Sequence, residues 1–360
     1  VFGYNKEDIP IKFDEFLKYE AKAKKILGIK YEKNFSFGND INVSNYARST
    51  VNFGEKYTNE IKKRKNIFGH LNCNLINLNM IEDKVASVTF SNYKGEKKLI
   101  KAKKFIFAMG SFENIRMIKF FFDKSTYKWK KLVGKNWTDH FNSFYLGNFI
   151  VFDEKKIFKD NSKFVGLALH DDVIKKYKLP QGNLHFEYNK PNKCHLLPKR
   201  ILDNFKDFGP FKSCYGEINA NFDNYTNGSS NSLELSKEKK CQFGIPSLSV
   251  FNNNDGWDKE KVDKYLIEFA KLFAKHELGR VRLEPEYGFN GWSHHQMMGT
   301  PISNNPNNGV VDENLKIFGI DNLYTVGGNV FNKTLSGKNP TLMVAILSLR
   351  LSSYLNNLLI

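Results

Sequence analysis

Two short apolar runs, Lys104-Phe105-Ile106-Phe107-Ala108-Met109 and Leu323-Tyr324-Thr325-Val326, each close on glycine: Gly110 in one, Gly327-Gly328 in the other. Unbroken apolar runs of this length suit strands buried on both faces, which belong to a sheet covered by helices. The glycine lets the chain turn sharply as the strand ends. Ser111 then stands where it can cap a helix bearing Ile115, Met117 and Ile118. Strict alternation in Asn72–Leu78 and Val85–Phe90 adds strands, with Tyr93-Lys94-Gly95-Glu96 as a hairpin turn. Two helices frame the chain. Phe16, Leu17, Tyr19, Ala23 and Leu27 recur at helical spacing within 9–28, with Gly28 as the stop. Trp257, Val262, Tyr265, Leu266, Phe269, Leu272 and Phe273 form the stripe of a second helix over 258–279, with Gly279 as its C-terminal cap. The pattern is α/β.

The length of 360 residues suffices for one large domain or two ordinary ones. A net charge of +17 invites a nucleic-acid reading, but nearly all of it is lysine, and runs such as Lys62-Lys63-Arg64-Lys65 are short. That argues for solvated faces and against nucleic acid as a partner. The four cysteines show neither a Cys-x-x-Cys pair nor metal spacing, which predicts reduced thiols, no metal site and a cytoplasmic setting. No run of about eighteen unbroken apolar residues is present, so no membrane span is expected.

The chemistry-bearing residues crowd into the C-terminal stretch. Ser293-His294-His295-Gln296-Met297-Met298-Gly299-Thr300 comes first, then Gly309-Val310-Val311-Asp312, Val326-Gly327-Gly328-Asn329, and Ser336-Gly337-Lys338-Asn339-Pro340-Thr341. In that order and spacing they resemble the C-terminal region of the glucose–methanol–choline (GMC) family of flavin oxidoreductases. Ala108-Met109-Gly110-Ser111 and Val133-Gly134-Lys135-Asn136-Trp137-Thr138-Asp139-His140 resemble two further landmarks of that family. The similarity covers 9–140 and 233–355; residues 141–232 carry no motif.

The resemblance implies a Rossmann-like FAD-binding domain, incomplete at its N-terminus, interrupted by an α+β substrate domain with an antiparallel sheet. Residues 1–140 would be the remaining part of the flavin domain, 141–292 mainly the substrate domain, and 293–360 the return to the flavin domain. The implied activity is oxidation of a CH–OH group of an alcohol or sugar with FAD as cofactor. Histidine suits the base such chemistry needs, being unprotonated at neutral pH, and an asparagine amide suits a neutral partner for the substrate oxygen. The family pattern assigns these roles to His295 and Asn339. One residue separates His295 from the family register, so a bulge at Met297-Met298 is needed to aim it; His294 is the rival base. By resemblance Gly328 and Asn329 contact the ribityl–phosphate region, and Pro340 and Thr341 the isoalloxazine edge. Leu75 and Gly110 are further backbone candidates. Asp139-His140 reads as structural or flavin-proximal; no Gly-x-Ser-x-Gly elbow supports a hydrolase. Phe186, Tyr188, Phe208, Phe211 and Tyr215 fit either a sugar-stacking pocket or a core.

No Gly-x-Gly-x-x-Gly follows any strand. The usual pyrophosphate loop is therefore absent from this chain, and three explanations arise: an incomplete longer enzyme, a separate N-terminal half as partner, or a non-catalytic flavin-fold remnant. A non-redox flavin enzyme on the same fold is a further alternative.

Overall fold

In a computed structural model, residues 10–29, 35–45, 51–158, 164–189, 214–223, 230–252, 258–288 and 291–359 are described. Fifteen strands are named among them: β1 (Phe35–Phe37), β2 (Ile41–Asn45), β3 (Asn74–Ile81), β4 (Lys84–Ser91), β5 (Lys97–Ile100), β6 (Phe105–Phe107), β7 (Phe141–Val151), β8 (Phe164–Leu169), β9 (Gly182–Asn189), β10 (Cys214–Phe222), β11 (Ser232–Lys240), β12 (Pro246–Phe251), β13 (Gly279–Leu283), β14 (Gly291–Trp292) and β15 (Leu323–Thr325). The α-helices are α1 (Phe13–Leu27), α2 (Phe53–Lys63), α3 (Ser111–Phe122), α4 (Glu154–Ile157), α5 (Asp171–Tyr177), α6 (Lys259–Lys275) and α7 (Thr341–Leu359).

Two hydrophobic cores divide these elements. The first gathers α1, α3, α7, β4, β6, β15 and the β11–β12 hairpin around Trp129, Ile115, Tyr324 and Ile346. Here the two glycine-terminated apolar runs pair in parallel, Leu323 against Phe105 and Thr325 against Phe107. The second core lies under an eight-stranded sheet of order β1-β2-β8-β9-β10-β7-β13, with β14 also paired to β7. Every pairing in that sheet is antiparallel. Helix α6 covers the sheet with Val262, Tyr265, Leu266, Phe269, Leu272 and Phe273, all buried. At about 1.5–3 kcal/mol per buried large side chain, this helix is held mainly by its packed face. Phe186 stacks on Phe149 with ring centroids 4.3 Å apart and is fully buried, so it is a core residue and not part of a sugar pocket. Phe208 and Phe211 lie outside the described residues, as do the side chains of Tyr188 and Tyr215.

Three local expectations change. Ser111 is the first residue of α3, not its cap; Gly110 takes the cap position, and the serine hydroxyl donates instead to the Gln296 carbonyl at 2.7 Å. Gly279 does not end α6, whose cap is His276; it opens β13, where a Cβ would stand 1.9 Å from the Ile150 carbonyl oxygen. Glycine is needed there for close backbone approach. The polar stretch Asn221–Asn231 is not simply a loop, because Asn221 and Phe222 finish β10. The last helix, α7, is long and apolar enough by length and composition to cross a membrane. In this fold one face packs in the first core, and Arg350 in mid-helix is buried and paired with Glu15 of α1 at 2.7 Å. Both features are those of a core helix.

Gly134 joins three segments: its N–H donates to Gly299 O at 2.7 Å and its carbonyl accepts from Leu233 N at 2.8 Å. Its φ is +77°, and a Cβ would come 2.5 Å from the Leu233 carbonyl oxygen. Gly134→Ala should therefore cost about 2–4 kcal/mol, part left-handed strain and part overpacking, read as a fall in the denaturant midpoint. An unchanged midpoint would show that the three segments are not locked together.

Candidate active site

The two cores meet where β7 begins, where β10 ends and where the chain passes from β14 towards α7. Thr138 and Met297 form an isolated antiparallel bridge, each N–H donating to the other's carbonyl at 2.9 Å. Asp139, 1% exposed, uses Oδ1 to accept both His140 N–H at 2.7 Å and His295 N–H at 2.8 Å. A single buried carboxylate thus sets the backbone of both histidines. Burial pushes the Asp139 carboxyl above the usual carboxylate range, and the two backbone donors and the neighbouring His140 and His294 only partly oppose it.

The structure brings His295 and Asn339 together. Asn339 Nδ2 lies 2.9 Å from His295 Nε2. The amide's orientation follows from its other end, because Oδ1 accepts the Thr341 N–H at 2.9 Å and also the Thr341 hydroxyl. Asn339 therefore presents an N–H to the imidazole, not an oxygen. On the far side of the ring, His295 Nδ1 is 3.1 Å from His140 Nδ1, the two rings meeting edge to face at 82°. Burial first, and then the charges of His140 and His294, lower the His295 pKa to about 4. It is a neutral base at neutral pH.

His294 goes elsewhere. It is exposed and left-handed at φ +58°, which turns the chain so that His295, and not His294, faces Asn339. Met298 is left-handed too, at φ +67°, inside the Met297-Met298 pair. This is a local irregularity of the kind the extra methionine requires.

The glycine turns lie beside this pair. Gly328, Asn329 and Val330 form a buried 3-10 turn after β15. The Asn329 side chain is consumed internally: Oδ1 accepts from Asn114, and Nδ2 donates to Thr300 Oγ1 at 2.7 Å and Thr325 Oγ1 at 3.2 Å. Any contact it makes with a cofactor is left to its backbone. Gly328 sits so close to Gln296 O, 2.6 Å from where a Cβ would be, that a side chain would not fit. Gly110 is exposed at the start of α3, with φ +91° and open space where a Cβ would stand. Pro340 directly precedes α7, which begins at Thr341, so the helix N-terminus lies beside the Asn339–His295 pair. Leu75 lies in β3, paired with Phe90 of β4 and half-buried against the first core. Among the described residues no group of three or more His, Cys, Asp or Glu could hold a metal ion.

Asp223 was not singled out by the sequence. It directly follows β10, inside the segment that carries no motif, and it closes the site from behind. Its Oδ2 accepts Thr334 Oγ1 at 2.5 Å and Ser336 N–H at 2.9 Å, and its Oδ1 accepts Gly337 N–H at 2.8 Å. Oδ1 also lies 3.2 Å from His140 Nε2.

Residues 228–348 match the family described as GMC oxidoreductase, in its C-terminal region. Over that stretch, about a third of the chain, it is similar to the C-terminal domain of GMC oxidoreductases. A cholesterol oxidase of Acinetobacter baumannii is 33% identical over 121 residues, which are 33% of this chain and 18% of that protein. The matched stretch is thus under a fifth of the relative's length. Two solved structures share the fold beyond the GMC domain. Pyridoxine 4-oxidase from Mesorbium loti superposes over 97% of this chain and 71% of its own, with a TM-score of 0.58 and 14% identity. A formate oxidase superposes over 96% of this chain and 71% of its own, with a TM-score of 0.53 and 13% identity. The formate oxidase of Aspergillus oryzae is described with a modified FAD. The mixed α/β fold with its antiparallel sheet is that of these oxidases.

Proposed function

We propose that this chain belongs to an FAD-dependent oxidoreductase acting on a CH–OH group, with His295 as the base and Asn339 as its partner. The observation that carries the reading is the 2.9 Å contact between Asn339 Nδ2 and His295 Nε2. It couples a neutral base to a neutral donor whose amide orientation is fixed by Thr341. A substrate hydroxyl entering between the two atoms could donate its proton to Nε2 and accept from Nδ2. The donor would then hold the oxygen as negative charge develops on it. FAD, when bound, supplies the acceptor for the hydride leaving the carbon.

Several features fit the flavin. The space above Gly110, at the start of α3, lets a ligand approach bare backbone. The α7 N-terminus beside Asn339 offers positive dipole character to an electron-rich ring edge. The buried Gly328-Asn329 turn starts a helical segment whose first N–H groups have no acceptor within the turn. These residues would hold the ribityl–phosphate region and the isoalloxazine.

The test is a visible spectrum of the purified chain after FAD is added, followed by anaerobic titration with pyridoxine, cholesterol and simple primary alcohols. Flavin bands near roughly 370 and 450 nm that survive desalting, and bleach with one of these alcohols, are the expected result. A bound flavin that none of them bleaches would sink the CH–OH reading.

One observation favours a second reading, in which the chain assembles with another polypeptide. Strand β6 pairs only with β15 among the described residues, and Ile106 and Met109 beside it are 47% and 40% exposed. An open apolar edge of this kind recruits a further strand. Retention of FAD by this chain alone would count against a requirement for such a partner.

A further inference from the structure

We propose that His140 and Asp223 are positioning residues that hold His295 in the tautomer with its proton on Nδ1, leaving Nε2 free as the base. The proposal rests on the reading of His295 given above and deepens it.

The tautomer follows from one hydrogen-bond chain whose direction is fixed at its start. Thr341 donates to Asn339 Oδ1, so Asn339 Nδ2 is the atom facing His295 Nε2, and it can only donate. Nε2 is then an acceptor. A neutral imidazole carries its proton on the other nitrogen, so His295 Nδ1 donates across 3.1 Å to His140 Nδ1. That makes His140 Nδ1 an acceptor and puts its own proton on Nε2, the atom 3.2 Å from Asp223 Oδ1. His140 is fully buried, and its Nε2 has no hydrogen bond of good angle; the contact with Asp223 is electrostatic. Reversing the chain at any link would set two N–H groups against each other.

Both ends of this chain are anchored on one loop. Asp223 is gripped by Thr334, Ser336 and Gly337, and Asn339 begins the chain two residues later. The route from loop to Asn339, His295, His140, Asp223 and back to the loop is closed, so a shift of one member displaces the others. The ionisable groups facing His295 are His140 and His294, together with Asp139, which accepts its N–H. Those facing His140 are His295, Asp223 and Asp139. Among these, Asp223 is the anion placed at the outer end of the relay. A charge there favours a proton on the Asp223 side of His140, and so on Nδ1 of His295, and it supports the imidazolium once His295 has taken a proton.

Long-range 15N–1H correlation spectra of the flavin-free, 15N-histidine-labelled chain at neutral pH test the tautomer without any turnover. The expected result is an acceptor-type Nε2 and a donor-type Nδ1 for His295. In His140→Phe the pattern should move towards a mixture of both forms. His140→Gln, whose Oε1 can accept the Nδ1 proton, should restore the wild-type pattern. In flavin-loaded protein His140→Phe should lower kcat by about a hundredfold with KM little changed, and His140→Gln should recover most of it. The proposal is overturned if wild-type His295 carries its proton on Nε2, or if His140→Phe folds and leaves the tautomer unchanged. The wild-type spectrum decides even if the phenylalanine variant does not fold. Failure of the oxidoreductase reading would look different: correct tautomers with no bleaching of bound flavin.

Discussion

Replacing His295 by alanine in the FAD-loaded protein should lower alcohol turnover by about a thousandfold, roughly 4 kcal/mol of transition-state stabilisation. The flavin spectrum should stay intact, because no described backbone contact of the glycine turns uses the imidazole. His294→Ala is the control. That side chain is exposed, and it is His295 that contacts Asn339, so turnover should stay within about twofold of wild type. The pH dependence follows from the same ring. Protonation at Nε2 removes the base, and burial holds the His295 pKa at about 4. Activity should therefore hold as pH falls from 7 to about 5 and decline only through about 4, not at the ~6.5 of an exposed histidine. Stopped-flow flavin reduction across that range checks both points. A thousandfold loss in His294→Ala with His295→Ala unaffected would exchange their roles.

Much of this site was legible in the chain because its parts are local in sequence. His295 lies three residues before the left-handed Met298, and Asn339 sits directly before the proline that precedes α7. The glycine-ended strands were legible for the same reason, since an apolar run followed by Gly110 or Gly327 dictates both burial and turn. Asp223 could not be read this way. Its partner Thr334 is 111 residues away, and β10, which it directly follows, shows only generic alternation. A lone aspartate at a strand end reads as a solvated terminus until the sheet brings it against His140. The roles of Ser111 and Gly279 were misplaced by the same limit. Local rules assign caps, whereas tertiary approach of Gln296 and Ile150 decided what those residues do.

Asp139→Ala should be the most destabilising single change in the site, about 3–5 kcal/mol, whereas Asp139→Asn should be close to neutral. One carboxylate oxygen accepts the N–H groups of both His140 and His295, in surroundings with almost no access to water. Alanine orphans both donors, each worth about 1–3 kcal/mol when buried without an acceptor. The Thr138–Met297 bridge next to it loses its brace in the same step. An asparagine carbonyl can accept both N–H groups in the same place. The sign of any effect of charge follows from the raised carboxyl pKa: burial disfavours the ionised form, so the wild-type native state loses stability as pH rises from the ordinary carboxylate range through that raised pKa. A neutral amide removes that penalty at pH 7, so Asp139→Asn should match or exceed the wild-type denaturant midpoint. If the two variants instead lose the same stability, negative charge and not acceptor geometry holds the two histidines, and the imidazolium formed on His295 has Asp139 as its direct counter-ion.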